Sequence, residues 1–103
     1  MNLFRRLFSS APAVDLKSII DEGAFLVDVR TPAEFAEGHV KGSVNIPLDR
    51  IPAQLAKFKD KTNIIVFCRS GGRSSQAKNI LQQNGFANVV NGGTWNNVSQ
   101  FVK

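Results

Sequence analysis

A chain of 103 residues with 43% apolar residues has room for one core and one domain, which excludes a tandem architecture. Its single cysteine excludes an intramolecular disulfide, its single histidine leaves no credible metal site, and no apolar run reaches the length of a membrane span. The net charge of +5 comes from basic residues spread along the chain, with one tryptophan and no tyrosine for base stacking, so the pattern speaks against nucleic-acid binding.

Residues 1–12 read as an N-terminal extension. MNLFRRLFSSAPA carries two arginines, two serines and no acid, and Leu3, Phe4, Leu7 and Phe8 fall on one face of a short amphipathic helix. The arginines interrupt the apolar core that a secretory signal needs. The expectation is an extra turn packed on the domain. A mitochondrial-type presequence and a weak membrane-surface anchor are the alternatives. Pro12 ends the extension and the domain occupies 13–103.

Asp15 caps a helix that turns Leu16, Ile19 and Ile20 inward and closes at Gly23. Residues 25–29 form a strand. Thr31-Pro32-Ala33-Glu34 is a capping box with proline at the first helical position, and Gly38 stops that helix. A short strand follows over 44–46, then a helix over 49–57 with Pro52 tolerated in its first turn.

Ile64, Ile65, Val66 and Phe67 form a continuous β-branched and aromatic run, the pattern of a strand buried on both faces. It delivers Cys68 into a loop where Gly71 and Gly72 let the backbone curl. Ser74 or Ser75 then caps a helix over 75–84, with Ala77, Ile80 and Leu81 at helical spacing and Gly85 as its stop. A final strand over 87–90 and a closing helix over 94–102 complete the chain. Strands alternating with helices at these lengths predict an α/β fold with a mostly parallel sheet of four to five strands, covered on both faces.

A thiol at the carboxyl end of a strand faces the helix N-terminus and its converging N–H groups. Arg69 and Arg73 add positive charge, and all three influences favour the nucleophilic thiolate over an inert buried cysteine. Four residues separate Cys68 from Arg73. Cysteine phosphatases separate the same pair by five and surround a tetrahedral phosphate. The tighter ring here suits one sulfur atom carried on Cys68 as a persulfide.

Asp28 and Arg30 lie at the end of the neighbouring strand. They either order the Cys68 loop by charge-assisted hydrogen bonds or form local ion pairs such as Arg30 with Glu34. His39 reads as a turn-stabilising residue rather than a general base.

The loop CRSGGRS resembles the active-site loop of the rhodanese (thiosulfate sulfurtransferase) family. FLVDVRTPAEFAEGHVKGSVNIP, residues 25–47, and NGFANVVNGG, residues 84–93, are similar to two further segments of that family, so the resemblance runs from about Val14 onward. Ser43 stands where the family usually has alanine, and Trp95 follows the double glycine sooner than the family's tryptophan, which bears on how the last helix starts and packs.

The resemblance implies a single rhodanese-like domain. Cys68 would be its catalytic nucleophile, and Arg69, Ser70, Gly71, Gly72, Arg73 and Ser74 the loop holding persulfide and substrate. It further implies thiosulfate as the anionic sulfur donor, cyanide, a thiol or a dithiol protein as acceptor, no cofactor, and a cytoplasmic setting. A persulfide carrier or interaction module is the alternative; a phosphatase or arsenate reductase is disfavoured by loop length.

Overall fold

The computed structural model describes residues 15–103; the helix expected within 1–12 lies outside them. Its centre is β3 (Ile64–Cys68), five residues that are all buried. Side chains alternate across a strand. Accordingly Ile64, Val66 and Cys68 enter one apolar layer with Val27, Val29, Ile51, Phe58, Ala77 and Leu81, while Ile65 and Phe67 enter the other with Leu16, Leu26, Val40 and Val98. Burying each large side chain of this strand stabilises the fold by about 1.5–3 kcal/mol.

Around β3 the sheet runs β2 (Val44–Asn45), β1 (Phe25–Asp28), β3, β4 (Val89–Thr94), every pair parallel. The α3 helix (Gly72–Gln83) covers the first layer, and α1 (Leu16–Asp21) and α4 (Trp95–Ser99) contribute to the second. The expected parallel α/β sheet with both faces covered is therefore present, with four strands among the described residues.

Locally encoded features form as read. Asp15 accepts from the Ser18 N–H at 3.2 Å to start α1. In α2 (Pro32–Glu37) the Thr31 hydroxyl accepts from the Glu34 N–H, and the Glu34 carboxylate accepts from the Thr31 N–H.

Four expectations change. The helix over 49–57 is two 3-10 segments, Leu48–Ala53 and Leu55–Phe58. Because the first begins at Leu48, Pro52 falls beyond the opening turn, where it has no N–H for the Leu48 carbonyl. The chain closes i→i−3 bonds instead, such as Gln54 N–H to Ile51 O at 2.9 Å. The α3 helix begins at Gly72, not 75, and neither Ser74 nor Ser75 caps it. Gly71 holds the cap position at φ 98°, a left-handed conformation suited to glycine.

The last strand runs through the double glycine to Thr94 instead of stopping at 90, and α4 is shorter than the helix expected over 94–102. Thr94 caps α4 by accepting from the Asn97 N–H at 3.0 Å, so Trp95 opens the helix directly after the strand. A register shift between Val66 and Phe67 marks a bulge in β4, where Gly92 is the extra residue.

Gly92 is required for space. A Cβ there would lie 2.6 Å from Val98 Cγ2 and 2.9 Å from Ile65 Cγ2. Gly92→Ala is expected to destabilise the domain by ~1–3 kcal/mol through overpacking, read as a lower urea midpoint. An unchanged midpoint would show that α4 moves freely away from the sheet.

Candidate active site

Cys68 ends β3 on the α3 side of the sheet, and its side chain is wholly buried. The left-handed turn at Gly71 aims the Gly71 N–H at Cys68 Sγ, 3.0 Å away. The thiol in turn donates to Ser74 Oγ at 3.5 Å from within the first turn of α3. Ser74 Oγ also lies 2.7 Å from Asn91 Oδ1 and 3.1 Å from the Gly71 carbonyl, both able to accept its proton.

Burial pushes the Cys68 thiol up, but the Ser74 hydroxyl and the N–H groups of Ser74, Ser70 and Gly71 outweigh it. The thiol is held below its ordinary value of 9.0. Hydrogen bonding to the anion is what lowers the thiol, and the Gly71 N–H at 3.0 Å is the closest donor to it.

The arginines act otherwise than their sequence positions suggest. Arg73 donates twice to Glu34, Nη1 to Oε1 at 2.7 Å and Nη2 to Oε2 at 3.0 Å, and makes no hydrogen bond to the sulfur. Its charge is matched by a carboxylate. Arg69 is exposed, lines a cavity and makes no ion pair among the described residues. Ser70 and Gly72 are exposed on the loop's outer side.

Asp28 and Arg30 are buried against each other. Arg30 Nε lies 3.0 Å from both carboxylate oxygens and Nη2 lies 2.7 Å from Oδ2, while the Arg30 N–H donates to Oδ1 at 2.9 Å. A second donation from Nη2 reaches the Gly38 carbonyl at 2.7 Å, and the guanidinium sits 4.6 Å over the Trp95 ring. So dense a set of bonds offsets the desolvation of two charges. Neither side chain hydrogen-bonds residues 69–74, so the pair fixes the turn at Gly38 and the tryptophan rather than the Cys68 loop. The pairing of Arg30 with Glu34 is also absent, because Glu34 serves Arg73.

His39 donates from Nδ1 to the Phe35 carbonyl at 2.9 Å and stacks on the Phe35 ring, in keeping with a turn role. A cavity of about 400 Å3 opens beside the loop, walled by Arg30, Glu34, Glu37, Arg69 and Trp95. The sequence singled out Glu34 as a cap and as a partner for Arg30, not for Arg73, and gave no signal for Asn91 or Glu37. The contacts of Glu34 and Asn91 with the site span 39 and 17 residues, beyond any local pattern.

The model of the rhodanese-like domain matches residues 12–95. The chain belongs to the rhodanese-like domain family. It is 39% identical over 70 residues to a sulfurtransferase of Allochromatium vinosum, covering 68% of this chain and 65% of that one. It is likewise 39% identical over 69 residues to the thiosulfate sulfurtransferase PspE of Escherichia coli, covering 65% and 66%. The chain thus spans just under two thirds of the length of these two relatives. A solved structure described as a rhodanese with anions from E. coli superposes with a TM-score of 0.68 at 33% identity, covering 75% of this chain and 93% of that one. Among the described residues, no helix of this rhodanese-like domain is long and apolar enough to cross a membrane.

The Arg73 guanidinium, the Thr31 N–H and the Thr31 hydroxyl hold the Glu34 carboxyl down at about 2, against an ordinary 4.5. A depressed carboxyl stabilises the fold above pH 4.5, and that contribution is lost as pH falls through 2. Glu34→Gln should lower stability at pH 7 by about 1 kcal/mol and flatten the decline between pH 4.5 and 2, followed by urea denaturation across pH. Parallel pH curves for the two proteins would remove the pair from the acid response.

Proposed function

We propose that this protein is a thiosulfate sulfurtransferase that works through a Cys68 persulfide. The observation that carries the reading is the Gly71 N–H aimed at Cys68 Sγ from 3.0 Å, within a loop of only four residues between Cys68 and Arg73. Relatives named as sulfurtransferases, one of them a thiosulfate sulfurtransferase, support it.

In the first half-reaction the Cys68 thiolate attacks the outer sulfur of thiosulfate. The sulfur–sulfur bond of the donor breaks, and sulfite leaves with its electron pair. The terminal persulfide sulfur carries the negative charge and is held by N–H groups of the stretch from Arg69 to Ser74, as an oxyanion hole holds oxygen. In the second half-reaction a thiolate or cyanide attacks the outer sulfur, and the bonding pair returns to Cys68 Sγ. No oxidant and no cofactor enters the cycle.

Arg69, free of a carboxylate partner among the described residues, attracts the dianionic donor to the cavity. Asp28 and Arg30 act at one remove, by fixing the wall at Trp95. A reducing compartment such as the cytoplasm suits a thiol that must return to the thiolate after every turnover.

Mass spectrometry tests the scheme. Thiosulfate should add one sulfur to the wild-type protein and none to Cys68→Ser, and cyanide should then remove it with release of thiocyanate. A protein that loads but never releases sulfur to cyanide is a carrier, and one that hydrolyses an aryl phosphate or reduces arsenate instead belongs to the rival chemistry. Arg69→Ala should raise the thiosulfate KM about tenfold or more, the loss of one charge-assisted contact of roughly 1.5–3 kcal/mol. Arg73→Ala should act mainly on stability, because its guanidinium already serves Glu34. Unchanged thiosulfate kinetics in Arg69→Ala would remove that side chain from donor binding.

A further inference from the structure

The Ser74 hydroxyl has one proton and three groups that could take it: Asn91 Oδ1 at 2.7 Å, the Gly71 carbonyl at 3.1 Å and Cys68 Sγ at 3.5 Å. While Cys68 is a thiol, its S–H points at Ser74 Oγ, so the hydroxyl proton must point elsewhere. Asn91 offers the shortest contact. Its amide orientation is not arbitrary, since the Gly93 N–H donates to the same Oδ1 at 2.9 Å and thereby fixes the oxygen, not the NH2, toward Ser74.

We infer that Asn91 is a positioning residue: it holds the Ser74 proton away from the sulfur while Cys68 is neutral and releases it when negative charge arrives there. The inference rests on the sulfur-transfer reading for its purpose, though not for its geometry. A hydrogen bond to an ionised acceptor is roughly twice as strong as a neutral one. Once Sγ is anionic the hydroxyl therefore turns to it, and Ser74 keeps its own proton throughout. Asn91 is exposed, so water replaces the bond that its oxygen gives up.

The device acts in both half-reactions. In the first the attacking Cys68 is already a thiolate and receives the hydroxyl, which favours ionisation at some cost in nucleophilicity. In the persulfide Sγ is neutral and the hydroxyl returns to Asn91. When an acceptor thiolate bonds to the outer persulfide sulfur, the broken bond's electron pair returns to Cys68 Sγ. The hydroxyl is then needed, and it turns to stabilise the leaving thiolate.

Other charges near Cys68 are largely matched. Asp28 and Arg30 at the end of β1 pair with each other, and Glu34 of α2 pairs with Arg73 of α3. The loop contributes Arg69, and β4 contributes no charged residue between Val89 and Thr94. A change at Asn91 is thus read through Ser74 against a constant background.

The test is the pH dependence of iodoacetamide alkylation of Cys68 in the full chain, which requires no sulfur donor. Asn91→Ala frees the hydroxyl for the thiolate and should lower the midpoint by roughly half a pH unit or more. Asn91→Asp keeps both partners on a charged acceptor and should raise it. Ser74→Ala should raise it too, and Asn91→Ala should have no further effect in that background. The inference is overturned if Asn91→Ala leaves the midpoint in place or raises it, or if its shift persists without Ser74. A wild-type protein with these alkylation shifts that transfers no sulfur from thiosulfate would refute the proposed function and leave the role of Asn91 on the thiol intact.

Discussion

The site depends on the burial of β3 on both faces. Side chains alternate across a strand, so a shift of one residue would exchange the two faces of β3 and misplace both packed layers. Ile65 and Phe67 are committed to the side that holds Val98 and Leu16, so Cys68 must face α3. The sulfur then meets the start of α3, where unpaired N–H groups converge. The direction of the sulfur is set by the packing of the neighbouring residues of β3.

Dipoles rather than net charges govern the sulfur. Both carboxylates nearest the site are taken up by arginines, Asp28 by Arg30 and Glu34 by Arg73. These pairs fasten the ends of β1 and α2 to their surroundings, and N–H groups and one hydroxyl are what hold the Cys68 thiol down against its burial. Salt screens exposed charges over distances near 10 Å but has little effect on a bond inside the protein. Hydrogen bonds inside the protein thereby make the acidity of the thiol less sensitive to ionic strength than an exposed charge pair would.

What could be read from the sequence was what a few neighbouring residues decide. The caps at Asp15 and Thr31, the doubly buried run before Cys68 and the parallel alternation of elements all belong to this class. Errors arose where a residue's partner is remote. Ser74 has the composition of a cap, yet Asn91 on β4 and Cys68 claim its hydroxyl, and glycine takes the cap position. Arg73 lies next to the cysteine loop, yet its guanidinium pairs with Glu34, 39 residues away. From the sequence the last strand is expected to stop at 90, yet it runs on through Gly92, where only glycine fits because a side chain would strike Val98 and Ile65. For Pro52 the error was positional: a helix that starts earlier than expected moves the proline out of its permitted turn.

Trp95 gives the molecule an optical property. It is the only tryptophan, there is no tyrosine, and its indole walls the cavity beside Arg69 with the Arg30 guanidinium stacked on its face. Excitation at the red edge therefore addresses one chromophore, whose emission is sensitive to the charge stacked against it. Occupancy of the cavity, or a rearrangement of the Asp28 and Arg30 pair, is written into the intrinsic fluorescence of the unlabelled protein.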